Sequence, residues 1–192
     1  MTDLIDSLAG ITPGSALDVA RARRPEARKH AQASYAALFE PAEPGGFSLA
    51  ERFAVAAFVA GLHNEATTVA LYTGKLAAAA PALATALAAE TEDANAAGPY
   101  GAYPHGPLSR EDQPGLIYRA SAPGLLGPRL TAALEHAHML VFHPRDSSAE
   151  HLQALLDAGW TTTEIVTLSQ IVAFLAFQIR LVHGLRAVTA LT

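Results

Sequence analysis

The sequence contains no cysteine in its 192 residues. Disulfides, thiolate nucleophiles, thiol peroxidase chemistry and cysteine-ligated zinc are therefore excluded within the chain. Charge is also sparse: 16% of residues are charged against 51% hydrophobic, a balance that predicts an ordered, packed protein. The formal net charge is −5, and basic residues gather only at Arg21, Arg23, Arg24, Arg28 and Lys29. No nucleic-acid partner is expected from this distribution. HExxH, GxSxG, the P-loop and GxGxxG are absent, which removes the usual support for zinc protease, serine hydrolase, nucleoside triphosphatase and Rossmann oxidoreductase readings. The opening MTDLIDSLAG carries acidic residues where a secretory signal would be basic, and no apolar segment follows it. A cytoplasmic location is the expectation.

The longest apolar run with a helical start is Thr161 to Arg186. Thr161 and Glu164 have the spacing of a capping box, and Gly184 and Arg186 mark the end loosely. The run is apolar on nearly every side, so it predicts a helix enclosed by protein around which the chain is organised. Ile165 to Val182 approaches membrane-spanning length, but Thr167, Gln170, Gln178 and Arg180 interrupt it. A buried helix is expected, with no membrane partner.

The remaining chain reads as all-α. Residues 1 to 46 form an N-terminal lead, irregular to Gly14 and then helical, with a break near Pro25 and Leu38 and Phe39 as buried anchors. Its arginines read as a solvated helix face. Residues 47 to 97 form a first helical half, opened by a second capping box at Ser48 and Glu51 and broken between Gly61 and Asn64. Ala82 to Asn95 should be a further alanine-rich helix. Residues 98 to 128 are rich in Gly, Pro and Tyr and cannot hold a long helix. Such a loop is expected to be ordered against the body, bound to a partner subunit or acting as a lid, with a plain linker as the bland alternative. Residues 129 to 192 form a second helical half, with a third capping box expected at Ser147 and Glu150. The two halves, joined by the loop in one domain, hint at an internal duplication.

Candidate chemistry starts on the long apolar helix. At about 100° per residue, Ser169, Ala173, Ala176, Arg180 and His183 share a sector of about 80°. The arginine suits a bidentate carboxylate, so Arg180 and His183 are candidates for a substrate-anion clamp. An ion pair in the core or a subunit contact is the simpler reading of the same residues. Glu135 and His138 have ExxH spacing, but a di-iron bundle needs a second ExxH and two more carboxylates, and the second ExxH is missing. No metal and no cofactor is expected.

Two segments, RFAVAAFVAGLHNEATTVALYTGKL and LLDAGWTTTEIVTLSQIVAFLAFQIRLVHGL, resemble the carboxymuconolactone decarboxylase and AhpD-like alkylhydroperoxidase superfamily. GSALDVARARRPEAR and GPYGAYPHGPLS are similar to a cysteine-free, peroxidase-related subgroup of it. The resemblance implies an AhpD-like helical bundle and a homo-oligomer. Laying EATTVALYT on the superfamily's redox helix puts Glu65 and Thr68 at its two cysteines and Tyr72 at its histidine. The dithiol mechanism cannot operate with those residues. What the resemblance then implies is a cofactor-free acid/base enzyme, decarboxylase- or isomerase-like, on a small carboxylated metabolite. Glu65, Tyr72 and His138 are its catalytic candidates, and Thr68, Arg180 and His183 its substrate-binding candidates. The alternative is a non-catalytic oligomeric binding protein that kept the fold. For Glu51 and Glu65, helix capping and the helix dipole are the competing structural roles.

Overall fold

The structure is a computed structural model that describes residues 3–190; the ends of the predicted lead (1–46) and second half (129–192) lie outside the described residues. The described residues form nine α-helices and no strand: α1 (Leu4–Ala9), α2 (Ala16–Ala22), α3 (Pro25–Phe39), α4 (Leu49–Leu62), α5 (Ala66–Ala79), α6 (Pro81–Asp93), α7 (Pro123–Phe142), α8 (Ala149–Asp157) and α9 (Thr162–Thr189). The fold is all-α, as the sequence predicts.

The lead departs from expectation in two places. Residues 4–9 are helical, because Asp3 caps the Asp6 amide and Gly10 takes the left-handed conformation (φ 71°) that ends the turn. The amide of Leu4 donates to Gln32 Oε1, and Ile5 packs against Ala31 and Val182. The arginine cluster is also not simply solvated. Arg21 pairs with Asp3 and Asp6, and Arg28 with Asp6 and Asp18, in a network that ties α1, α2 and α3 together.

Helix α4, rather than α9, is the enclosed centre. Ten of its 14 residues are buried, against nine of 28 in α9. Ala54, Ala56, Ala57 and Ala60 leave room for α5, α6, α7 and α9 to approach from all sides. Its capping box at Ser48 and Glu51 forms as predicted, and the chain breaks after Leu62, where Asn64 takes φ 53°. Before it, the buried guanidinium of Arg52 donates to the carbonyls of Leu38, Pro44 and Phe47 at 2.7–2.9 Å and fastens the PAEPGG turn.

Helix α9 carries the predicted Thr161/Glu164 capping box. By length and composition it could cross a membrane, but half of its most apolar window is buried against the rest of the chain. Its other half is open, with Val166 and Phe177 about half exposed. The all-round burial expected from its composition is thus corrected to a one-sided core helix. Arg129 on α7 joins the two capping boxes. It lies between Glu51 (3.2 Å) and Glu164 (3.5 Å), donates to the Gly46 and Gly159 carbonyls, and sits 4.3 Å over the Trp160 ring.

The loop from 98 to 122 is ordered against the body. Tyr100 donates to the Leu116 carbonyl at 2.6 Å, Gly101 pairs with Gln113, and the Ala102 amide donates to Asp146. Gly115 lies so close to the Tyr100 ring that a Cβ there would stand 2.2 Å from a ring carbon. The loop's end is fixed by Glu90, fully buried on α6, which accepts from Tyr118, from the amide and hydroxyl of Ser121, and from the Ala122 amide. Helix α7 then starts with one turn, kinks at Gly127 (φ 73°) and continues from Pro128. The third capping box does not form: Ser148 occupies the N-cap of α8 without a capping bond, and its hydroxyl meets His151 Nδ1 at 3.0 Å.

Candidate functional site

The residues aligned with the redox helix are used by the fold. Glu65 is the N-cap of α5, accepting from the Thr68 amide (2.7 Å) and hydroxyl (2.5 Å), from Thr67, and from Arg186 on α9 (3.1 Å). Burial pushes its carboxyl up, but the hydrogen bonds from Thr68 and Thr67 outweigh that and hold it below its ordinary range. It is an ionised, saturated carboxylate at neutral pH. Thr68 is fully buried beneath it. Tyr72 is also fully buried, packed on Phe39, and its hydroxyl donates to Gln178 Oε1 at 2.9 Å. Burial first, and then Tyr35, push the phenol well above its usual range. Glu65, Thr68 and Tyr72 do lie together along α5, but as a cap and a core contact.

His138 is fully buried in an aromatic cluster with Tyr118, Phe142 and His143. Its Nε2 donates to the Ala94 carbonyl at 3.1 Å. Burial, then the neighbouring His143, push its pKa down to about 4, so the ring is neutral at pH 7. Glu135, its ExxH neighbour, pairs instead with Arg119 and the Ala120 amide. Among the described residues no group of three or more His, Asp or Glu is arranged to hold a metal ion.

The sector predicted on α9 does line a cleft. Ser169, Ala173, Ala176 and Arg180 form one wall of a cavity of about 550 Å³. The facing wall comes from Leu140, Val141 and Phe142 of α7 and from the Gly98–Pro99 segment, and His63 at the C-cap of α4 completes it. His183 is exposed further along α9 and is not part of this lining. The cleft is chiefly apolar, with three polar groups. Arg180, exposed at the mouth of the cleft, bonds the Ala176 carbonyl (2.9 Å) and has no ion-pair partner among the described residues, so most of its five N–H donors face solvent and are open to a ligand. Ser169 donates to the Ile165 carbonyl at 3.0 Å and keeps its acceptor capacity. His63 has a buried Nε2 with no hydrogen-bond partner among the described residues. Burial, and then the charge of Arg180, push its pKa below the ordinary imidazole range.

The chain matches no protein-family model, no curated protein and no solved structure. The cleft must therefore be read from its own chemistry. A cavity of this size, apolar with a few convergent polar groups, has the form of a small-molecule site. Of the residues singled out in the sequence as catalytic or substrate-binding, only Arg180 lines this cleft, and His63 carries no sequence signal. The missing signal is long-range: His63 ends α4 far from α9 in the chain, and only packing brings its imidazole beside the guanidinium.

Proposed function

We propose that this protein binds a small carboxylated metabolite in the cleft between α4, α7 and α9. The carboxylate pairs with Arg180 and the apolar body lies against α7. The observation that carries this reading is an unpaired guanidinium at the polar end of a chiefly apolar cavity. An exposed guanidinium without an ion-pair partner at the edge of an apolar cavity can take up an anion, and its fork favours a planar, two-oxygen one. Calorimetric titration with butyrate or benzoate tests it: binding that Arg180→Gln weakens tenfold or more is expected, and equal binding by both proteins would reject it.

A second reading, cofactor-free acid/base chemistry on that carboxylate, is favoured by His63. A neutral imidazole next to a cation can accept a proton from a carbon flanked by the bound carboxylate and a second carbonyl, the electron pair passing into an enolate whose charge faces Arg180. His63 carries this reading better than Glu65, Tyr72 or His138, whose polar atoms are committed to the fold. Solvent-deuterium exchange into a bound carboxylate, lost in His63→Gln, is its test.

The sequence resemblance supports placing the chain as a cysteine-free, AhpD-like relative of the carboxymuconolactone decarboxylases, in the cytoplasm and as a homo-oligomer. The exposed apolar Leu108, Ile117 and Leu125 supply surface for a second copy. Sedimentation of the wild type against Ile117→Asp and Leu125→Asp tests that part.

A further inference from the structure

A second cleft, of about 610 Å³, lies between α8 and α9, walled by Leu152, Leu156, Ile165 and Val166. It meets the Arg180 cleft along α9, because Ser169 and Ala173 line both. Val166, Ser169, Ala173, Ala176 and Arg180 follow one another at steps of three and four residues and so stand on one helix face. Between Val166 and Arg180 that face runs about 21 Å, at ~1.5 Å per residue. The three residues between them on this face are small, and two of them, Ser169 and Ala173, border both clefts.

Charge is distributed unevenly along this line. Among the described residues lining the two clefts no acidic side chain occurs, and the guanidinium of Arg180 stands at one end. At the other end Leu152, Leu156 and Val166 are all more than a third exposed, an apolar surface that water solvates poorly. An occupant that suits both ends has one anionic head and a long apolar tail. A membrane-lipid acyl chain spans about 15 Å, half of a hydrocarbon core about 30 Å thick. That length, with a carboxylate and the reach of an arginine side chain added, fills the line.

We infer that the two clefts form one groove for a long-chain fatty acid, its carboxylate on Arg180 and its chain laid over Ala176, Ala173 and Ser169 into the α8–α9 cleft. This rests on the reading of Arg180 as a carboxylate site and gives that site its ligand class. The tail cleft supplies affinity that grows with chain length, and Arg180 selects the acid over the alcohol.

The test is calorimetric titration of the full chain with butyrate, octanoate, dodecanoate and decanol, each below its micellar concentration. Affinity should rise by up to about fourfold per methylene between butyrate and dodecanoate. Leu156→Asp, and independently Val166→Asn, should weaken dodecanoate at least tenfold and leave butyrate within twofold. Arg180→Gln should weaken every acid and leave decanol unchanged. Butyrate binding with no gain for longer chains would overturn the fatty-acid inference and leave the carboxylate reading standing, whereas no binding by any acid would overturn both. A dimer that Leu156→Asp dissociates while dodecanoate affinity is unchanged would show that a second copy covers the α8–α9 cleft, and would also overturn the inference.

Discussion

The Tyr72 hydroxyl donates to Gln178 Oε1 across 2.9 Å in the fully buried contact between α5 and α9. The same Gln178 leaves its Nε2 without a partner among the described residues, so this one bond holds the amide in place. Tyr72→Phe is therefore expected to lower stability by about 1–3 kcal/mol, the cost of orphaning a buried acceptor. Carboxylate binding should be unchanged. Urea unfolding and titration of the same sample check both halves.

Glu65→Ala removes the cap of α5 and the partner of Arg186. A loss of about 1 kcal/mol is expected for the cap, with little added by an arginine that is half exposed. Any turnover found for this protein should survive the change. If activity disappears while the unfolding midpoint holds, Glu65 acts in chemistry and not as a cap.

Arg129 gathers two capping-box glutamates, two carbonyls and the Trp160 face. Arg129→Lys keeps the charge but cannot reproduce the planar fork, so it should recover less than half of the stability lost in Arg129→Ala. A loss of about 2 kcal/mol is expected for the alanine variant, measured by chemical denaturation.

Acid should destabilise the protein over two pH intervals. His136 and His138 ordinarily titrate near 6.5 but, buried in the folded chain, only at about 4. Between those values the unfolded chain holds more protons, so stability rises with pH there and falls as pH drops from 6.5 toward 4. The effect is on the order of 3 kcal/mol per histidine at most. Glu65 and Glu90, both held below the usual carboxyl range, act below about 4.5: their stabilisation is present above that pH and lost as they protonate. Melting temperatures from pH 7.5 to 4 should therefore fall, and His138→Gln should flatten the upper part of the curve. A melting temperature constant over that interval would refute the assignment.

Much of the helical framework was legible in the chain. Ser48/Glu51 and Thr161/Glu164 are local patterns whose partners are three residues apart, and both boxes form. The break at Gly61 to Asn64 and the Arg180 face of α9 also follow from local spacing. Most of what escaped was set by distant partners. The arginines of the lead looked solvated because Asp3, Asp6 and Asp18 were not known to face them. Ser147 lost its cap role to a neighbouring serine. The length of the α9 run drew attention from α4, which is shorter but more densely apolar and has partners on every side, whereas α9 is packed on one side only. Glu90 and His63 carry no local signal at all, and become visible only when α6 meets the loop and α4 meets α9.

The most direct test follows the His63 imidazole by NMR while pH is varied, with and without saturating octanoate. Arg180 is one of the two causes that hold His63 below its ordinary range. A carboxylate seated on that guanidinium must offset its charge, so the titration midpoint of His63 should rise when ligand is bound, and Arg180→Gln should raise it without ligand. A His63 midpoint that octanoate leaves unmoved, in a sample where calorimetry shows octanoate bound, would contradict the account.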